Sequence, residues 1–399
     1  MHIIITILAL IFLVPAAAAV IYLIFLAAVA LLSIKRRTET VSHPQTRFSI
    51  IIPAHNEEKT IQKTIHSCQA LDYSADLFDI YVVADNCADQ TAQIAEQLGA
   101  RVLERNDPKK RGKGFALSYA FGKLLPQNYD MFIILDADCI IDKHALNVFD
   151  RYVREGHRVL QANDVTSNPD DTPMSYALAV GNVIENDLFY APKSMLGLAV
   201  LLRGTGMAFH KKVLEEIPWD AFSVAEDADY SLRLLRQNIN VTFVQEVKVA
   251  SEFPVTKEQL EAQRSRWAQG NFQLGKAQAL KLIKEGLFGT RPLLVDAGWT
   301  LLILSKPFIL GISLLALLAS GTAWIIKPTL LNTQLASWSL FVFLGLAVYF
   351  VIGILLLGLN RKRLKYIVSV PQMIVKLGLI SVKNLFSKNQ KDWEKTPRT

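Results

Sequence analysis

The chain has 399 residues, of which 51% are hydrophobic, and a formal net charge of +7. Its length accommodates a catalytic domain of about 200–250 residues together with further segments. The mean hydropathy of +0.26 is high for a wholly soluble protein, and the apolar residues concentrate at the two ends. The basic residues cluster at the edges of these apolar segments rather than among aromatic residues, so nothing in the sequence indicates a nucleic-acid partner.

The first predicted element is a transmembrane helix within residues 1–34. Residues 3–32 are almost uninterrupted apolar residues with Pro15 near the middle, and Lys35, Arg36 and Arg37 follow directly. A span needs about 20 apolar residues, and this segment is too long for a typical signal-peptide core. We predict one long span that Pro15 can kink; two re-entrant pieces are the alternative.

The central part of the chain has the pattern of an α/β domain. From residue 47 to about residue 245, short apolar runs alternate with helical patterns, which predicts a parallel sheet covered by helices. The first predicted strands cover residues 48–52, 79–84 and 101–104 and a run that ends at residue 135. In such sheets, ligands bind outside the carboxyl ends of the strands.

Polar side chains follow each of these strands. The set consists of Pro53, Ala54, His55, Asn56 and Glu57, then Asp85 and Asn86, then the basic run of residues 109–114 that contains Lys113, and finally Asp136 and Asp138. Glu57 and Asp85 can accept N–H or O–H donors. The basic run precedes a predicted helix, whose N-terminus favours phosphate, although a solvated basic loop is as common. Their convergence on one sheet edge predicts a ligand site.

The aspartate pair predicts a divalent cation. Side chains at positions i and i+2 of an extended segment leave the same face, roughly 7 Å apart, so Asp136 and Asp138 point into one small volume. A cation lowers the cost of two neighbouring carboxylates. Because Mg²⁺ prefers one or two carboxylates plus substrate phosphates, the pair suits a nucleotide-diphosphate site. The alternative is that both are turn residues after a strand.

A second acidic group lies at residues 226–229. Acids in the first turn of a helix are stabilised by the helix dipole, so Glu226, Asp227 and Asp229 can be helix-start residues. In the functional interpretation, one carboxylate is a general base toward an acceptor hydroxyl.

Gln263, Arg266 and Trp267 share one face of a predicted helix. Thr256 and Gln259 form a capping-box pattern at its start. The Arg266 guanidinium suits phosphate oxygens, and the Trp267 ring suits the face of a sugar. The alternative is an interfacial anchor at a membrane surface.

The C-terminal part contains two further predicted spans within residues 293–360. They cover residues 299–326 and 340–359, with a loop at 327–339 and a basic segment after the second. Basic residues cluster on the cytoplasmic side of spans, which places the N-terminus outside and the central domain and C-terminus inside. Residues 271–290 and the basic tail, residues 361–399, have amphipathic patterns of helices that contact membrane lipids.

Together these motifs resemble the family 2 glycosyltransferases, especially the membrane-embedded branch that includes cellulose, chitin and hyaluronan synthases. The resemblance covers residues 47–270 and implies a Rossmann-like GT-A domain, cytoplasmic and flanked by transmembrane helices. It also implies a nucleotide-sugar donor, usually a UDP-sugar, and Mg²⁺ or Mn²⁺ as cofactor.

The resemblance further implies roles for the motif residues. Asp227 would deprotonate the acceptor and Asp138 would bind the metal. The donor would contact Pro53, Ala54, Glu57, Asp85, Lys113, Asp136, Gln263 and Arg266. The acceptor, a growing polysaccharide or a lipid, would contact Gly204, Thr205, Glu226 and Trp267.

Two features depart from the synthase pattern. Ala225 stands where the largest synthases often have Thr, and three spans are few for a polymer channel, which favours transfer of a single sugar to a lipid. Two other classes share some of the motifs: an aspartyl phosphatase of the haloacid dehalogenase type and a non-catalytic nucleotide-binding membrane scaffold. The phosphatase would need a Gly-Asp-x-x-x-Asp motif that we do not find.

Overall fold

A computed structural model describes residues 2–33, 44–303 and 305–385 of the chain. Within these ranges, the side chains of residues 257, 262–268, 374, 377 and 380–385 lie outside the description. The predicted basic flank at Lys35, Arg36 and Arg37 and the last part of the tail, residues 386–399, also lie outside the described residues.

The central domain is built on one eight-stranded sheet with the order β3-β2-β1-β4-β7-β6-β8-β5. The strands are β1 Phe48–Ala54, β2 Phe78–Asp85, β3 Arg101–Arg105, β4 Met131–Ile134, β5 Ile140–Ile141, β6 Val159–Thr166, β7 Met207–His210 and β8 Thr242–Ser251.

Fifteen α-helices are present in the described residues, with a 3-10 turn at Ala75–Leu77 and a π turn at Asn186–Tyr190. They are α1 His2–Leu32, α2 Ile61–Gln69, α3 Thr91–Gln97, α4 Lys113–Leu124, α5 Ala145–Arg154, α6 Pro173–Glu185, α7 Ala191–Met195, α8 Lys211–Glu216, α9 Glu226–Arg236, α10 Lys257–Phe288, α11 Pro292–Leu302, α12 Lys306–Ile326, α13 Leu330–Leu357, α14 Arg361–Ile367 and α15 Val370–Leu385.

The predicted parallel sheet is correct for one half of the domain and wrong for the other. Strands β1 to β4 pair in parallel, but β7 is antiparallel to both β4 and β6, and β5 is antiparallel to β8. The reason lies in where β7 begins. Met207 pairs with Ile134, the last residue of β4, so β7 starts at the carboxyl end of the sheet and runs back. The preceding turn, residues 204–206, is thereby placed at that edge.

Both faces of the sheet are buried, which explains the continuous apolar runs of its strands. In β1, Ile50 and Ile52 pack into a core on one face, whereas Ile51 belongs to the core on the other face. The second core continues without a break into the terminal helices and includes Leu23 of α1 and Tyr349 of α13. The apolar helices therefore pack directly on the domain.

Within the described ranges, three helices, α1, α12 and α13, are long and apolar enough to cross a membrane. The N-terminal segment is one continuous helix, not two re-entrant pieces. The predicted span at 299–326 is interrupted, because α11 ends at Leu302 and α12 begins at Lys306, with Pro307 in its first turn.

The predicted outer loop at 327–339 is too long, because α13 already begins at Leu330. The polar residues of this segment suggested a loop, but in the structure two of them form hydrogen bonds within the helices. Thr329 caps the helix by accepting the N–H of Asn332 at 3.2 Å, and the buried Asn332 amide donates to the carbonyls of Ala323 and Lys327. Only residues 327–329 connect the two helices.

The predicted interfacial helix at 271–290 is not a separate element. The predicted capping box forms, with the Thr256 hydroxyl and the Gln259 side chain bonded reciprocally, and the helix that starts there continues to Phe288. The domain boundary predicted at residue 270 therefore falls inside α10. The predicted amphipathic tail contains two helices, α14 and α15, in its described part.

A buried ion pair fixes the N-terminal helix and α11 to the domain. Lys193 is fully buried and lies 2.8 Å from Asp296 of α11. Asp296 also accepts the Tyr22 hydroxyl of α1 at 2.5 Å and the Ala199 N–H at 2.8 Å. Since a buried charge without partners is costly, these hydrogen bonds hold three segments in one arrangement.

We predict that Gly353→Leu loosens the contact between α13 and α6. A Cβ at Gly353 would overlap with the side chain of Ile184, so overpacking should cost about 1–3 kcal/mol. Thermal unfolding of the purified protein in detergent, followed by tryptophan fluorescence, should show a lower apparent Tm. The control is Gly321→Leu in α12, where a Cβ meets no atom within 4 Å; equal stability of the two variants would contradict this packing.

Candidate active site

The carboxyl ends of β1, β2 and β4 open into a cavity of about 1370 Å³. It is lined by every predicted site residue whose side chain the structure describes: Pro53, Ala54, Glu57, Asp85, Lys113, Asp136, Asp138, Gly204, Thr205, Glu226 and Asp227. The side chains of Gln263, Arg266 and Trp267 lie outside the described residues, so their roles stay predictions.

Lys113 lies at the centre of this cavity. It is the first residue of α4, and its ammonium group donates to the Asp136 carboxylate and, at 2.7 Å, to the carbonyl of Gly204. The N–H of Asp136 in turn donates to the Thr205 hydroxyl at 3.1 Å. One lysine therefore joins the end of β4 to the turn before β7.

Asp227 belongs to the same cluster, because Gly204 lies beside both Asp227 and Lys113. A Cβ at Gly204 would lie 3.5 Å from Asp227 Oδ2 and 3.7 Å from Lys113 Nζ. The φ of Gly204 is +82°, which favours glycine at this turn. The ammonium group and the second acidic group thus face each other across one turn.

The acids at the start of α9 divide into two roles. Asp229 forms an ion pair with Arg233 at 3.0 Å, one helical turn further on, and is a structural residue. Glu226 and Asp227 line the cavity, and Asp227 Oδ1 accepts the Ala228 N–H at 2.7 Å. All three acids lie in the first turn of α9, as the helix-start interpretation predicts. Two of them, Glu226 and Asp227, also face the cavity.

These two carboxyls lie deep in the cavity and hold their protons unusually strongly. Burial, followed by the charge of Asp227, raises the pKa of Glu226 to about 8. Burial also raises the pKa of Asp227. The pKa of Lys113 is raised by Asp136 and Glu226, although burial opposes its charge. The cluster thus contains four carboxyl groups, those of Asp136, Asp138, Glu226 and Asp227, and the single ammonium group of Lys113.

This excess of carboxylate oxygen fits a divalent cation that is shared with a ligand. Asp136 and Asp138 are both partly exposed to the cavity, and Ala137 between them is buried. Among the residues described, no three His, Cys, Asp or Glu side chains are grouped to hold a metal ion by themselves. Oxygen ligands that are incomplete without a bound phosphate are typical of Mg²⁺ sites.

The other end of the cavity is formed by Glu57 and Asp85. Asp85 Oδ1 accepts from Arg105 Nη1 at 2.5 Å and from the Asn86 amide at 3.0 Å. Glu57 Oε2 accepts the Thr60 hydroxyl at 2.8 Å. Arg105 was not predicted as a site residue. The sequence did contain a signal for it, because Arg105 ends β3, the strand that pairs with β2, and Asp85 ends β2.

Helix α10 passes close to the carboxylates. A Cβ at Gly270 would lie 3.3 Å from Ala225 Cβ, so the helix packs on the residue that precedes Glu226. Gln259 and Asn271, which flank residues 263–267 in the same helix, both line the cavity.

Sequence reasoning missed a further group of cavity residues: Asp164, Asn182, Glu185 and Lys306. None belongs to a motif. Two of them had a signal in the sequence. Lys306 directly precedes Pro307 at the start of an apolar segment, and Glu185 is the single charged residue of α6.

The sequence of the central domain matches a family model described as Glycosyltransferase like family 2 over residues 44–270. The chain belongs to this family. It is thus an enzyme, a glycosyltransferase, as the motifs predicted, and the match supports neither a haloacid dehalogenase-type phosphatase nor a scaffold.

This glycosyltransferase resembles several curated proteins over part of their length. It is 27% identical over 243 residues to the β-monoglucosyldiacylglycerol synthase of Synechocystis, covering 59% of this chain and 49% of that protein. It is 24% identical over 237 residues to the poly-β-1,6-N-acetyl-D-glucosamine synthase of Staphylococcus aureus, covering 57% and 55%. The chain spans about half the length of these relatives.

The fold of this glycosyltransferase is also found in a solved structure. The mannosyltransferase PcManGT from Pyrobaculum calidifontis, in complex with GDP-Man and Mn²⁺, matches 96% of this chain and 100% of its own with a TM-score of 0.62 and 19% identity. The predicted GT-A fold is confirmed by this match, with helices at both ends that are candidate membrane spans.

We predict that Glu226→Gln removes a pH-dependent loss of stability. A carboxyl with a pKa near 8 in the folded state and an ordinary one in the unfolded state binds more protons when folded, so stability falls as pH rises through that interval. Urea unfolding of the ligand-free glycosyltransferase at pH 5.5 and 8.5 should show a smaller decrease for Glu226→Gln than for the wild type. Glu96→Gln, an exposed change in α3, is the control; identical pH dependence in all three proteins would refute the assignment.

Proposed function

We propose that this protein is a membrane-embedded, inverting glycosyltransferase that moves a sugar from a nucleotide-diphosphate donor to a hydroxyl of a lipid-linked acceptor or growing polysaccharide. The observation that carries the proposal is the meeting of Lys113, Asp136, Asp138 and Asp227 in one cavity at the carboxyl ends of the strands. Such an edge is where α/β sheets bind nucleotides.

The donor binds with its nucleoside at the end formed by Pro53, Ala54, Glu57 and Asp85 and its diphosphate toward Lys113. The start of α4 supplies N–H groups and a favourable dipole for phosphate. The rim on this side is basic and exposed, with Lys59, Lys63, Lys109 and Arg111. The resemblance favours uridine as the base, whereas the structural neighbour carries GDP-Man. Gln263 and Arg266 are proposed to contact the diphosphate as well.

Asp138, with Asp136 beside it, would hold Mg²⁺ or Mn²⁺. A bound divalent cation would supply charge neutralisation at the leaving diphosphate. The residues fit this cofactor because both carboxylates are partly exposed to the cavity. The structural neighbour in complex with Mn²⁺ supports the use of a divalent cation.

Asp227 is the general base. The acceptor hydroxyl oxygen attacks the anomeric carbon and forms the new C–O bond, while the bond from that carbon to the diphosphate oxygen breaks and the electron pair leaves with the nucleotide. Asp227 takes the hydroxyl proton, and one displacement inverts the anomeric centre. A raised pKa makes the ionised Asp227 a stronger proton acceptor. Gly204, Thr205, Glu226 and Trp267 are proposed to position the acceptor.

We place the glycosyltransferase in the cell membrane with its catalytic domain in the cytoplasm. The three apolar helices and the basic residues after α13 support this topology. Parts of α10 and α15 expose apolar side chains beside lysines, with Leu280 67% exposed next to Lys281 and Leu379 65% exposed near Lys376. Such helices suit the headgroup region.

Asp227→Asn is expected to retain donor binding and lose turnover. Loss of a general base lowers the rate by about 10²–10⁴-fold, while the amide keeps the size of the side chain. Initial rates of nucleotide release and donor affinity by calorimetry measure the two effects. Asp229→Asn, in the same helical turn but bonded to Arg233, should keep most activity; wild-type turnover by Asp227→Asn would show that another group is the base.

Asp138→Ala should abolish the metal dependence of donor binding. Without this carboxylate the protein has one fewer oxygen ligand for the cation. Titrations of the nucleotide sugar into wild type and variant, each with Mn²⁺ and with EDTA, measure the difference. The wild type should bind more tightly with Mn²⁺, and the variant should bind equally in both buffers. A preserved Mn²⁺ effect in the variant would exclude Asp138 as the metal ligand.

A further inference from the structure

The cavity extends beyond the carboxylate cluster to the base of the apolar helices. Its far wall consists of α6, the start of α12 at Lys306 and Pro307, Phe350 of α13 and Val370 of α15. These helices include two of the three that are long and apolar enough to cross a membrane. Asp227 and the membrane helices therefore face the same continuous space.

The two cations of this extension are both neutralised. Lys306 lies 2.6 Å from Glu185, and Arg203 lies 3.1 Å from Asp164. Arg203 also donates to the amide oxygen of Asn186 in the π turn. Asp171, just before α6, is a further acid in the lining, so the acids Asp164, Asp171 and Glu185 outnumber these two cations among the described side chains at this end.

The two ends of the cavity consequently differ in charge. The donor end has a rim of exposed lysines and an arginine, whereas the far end is balanced or negative. A phosphorylated acceptor would have to separate these partly buried ion pairs, which would leave uncompensated charges, and would approach the acids Asp171 and Asp227. An acceptor with an uncharged headgroup meets neither obstacle.

The wall of this extension is apolar and has open space along α6. Leu178, Ile184 and Phe350 line it. Gly181 lies on the same helix, and a Cβ there would meet no atom within 4 Å. By contrast, α13 packs tightly on Ile184 at Gly353. Gly181 therefore marks open space on a helix that is closely packed one turn away, at Ile184.

We propose that the acceptor is an uncharged lipid with a free hydroxyl, such as a diacylglycerol, and that its chains enter between α6 and the bases of α12, α13 and α15. This inference rests on the proposed glycosyltransferase function and defines its acceptor. The neutral headgroup lies between the two ion pairs and presents its hydroxyl to Asp227, and the acyl chains extend past Gly181 toward the bilayer.

The test uses purified full-length protein in nanodiscs with radiolabelled UDP-glucose, UDP-galactose, UDP-N-acetylglucosamine and GDP-mannose. Each donor is offered dioleoylglycerol, undecaprenyl phosphate or a soluble gluco-oligosaccharide. We expect transfer to dioleoylglycerol at least tenfold faster than to the other two. Gly181→Leu should reduce this transfer at least tenfold and leave donor hydrolysis to water unchanged. The control Gly122→Leu, at an exposed glycine of α4 with equal space, should leave both rates unchanged.

The outcomes separate the acceptor from the reaction itself. Faster transfer to undecaprenyl phosphate or to the oligosaccharide, or full lipid transfer by Gly181→Leu, overturns the neutral-lipid acceptor while the glycosyltransferase function stands. If wild-type protein neither binds nor consumes any of the donors, the proposed function fails first. As a second check on charge, Asp164→Asn removes the partner of Arg203 and should raise the relative use of undecaprenyl phosphate severalfold.

Discussion

The active site depends on the interaction of Lys113 with the carboxylates that surround it. Carboxylates that share a desolvated site raise one another's pKa values unless a cation lies among them. The ammonium of Lys113 bonds Asp136 and the Gly204 carbonyl together and lies beside Asp227. One side chain thus connects the end of β4, the turn before β7 and the start of α9. The carboxylates that Lys113 does not bond favour a metal–diphosphate ligand.

The apolar helices are part of the same construction. The buried pair of Lys193 and Asp296, joined by the hydroxyl of Tyr22, connects the domain to α1 and α11. The contact of Gly353 with Ile184 sets α13 against α6. These buried contacts join the domain to the helices, and the extension of the cavity opens at the base of α12 and α13.

Much of the site could be predicted from the sequence because its residues directly follow strands. Asp85, Asp136 and the residues after β1 occupy the carboxyl ends of parallel strands, where topology alone brings them together. The direction of β7 could not be predicted, since a short buried run such as 207–210 has the same pattern in either direction. The start of α13 was misplaced because its polar residues resemble a loop in the sequence, whereas the Asn332 amide is bonded to carbonyls at the end of α12 and in the connecting turn. The ion pairs of Glu185 and Asp164 join residues more than thirty positions apart, and no local pattern marks them.

In the proposed reaction, the hydroxyl attacks once, from the side opposite the diphosphate, with Asp227 as base. The stereochemistry of the first product tests this most directly. With a donor whose sugar is α-linked to the nucleotide, the anomeric ¹H coupling constant of the isolated product, recorded by NMR, should be that of a β-linkage. An α-linked product would require a second displacement or a front-face attack and would contradict the single-displacement site described above.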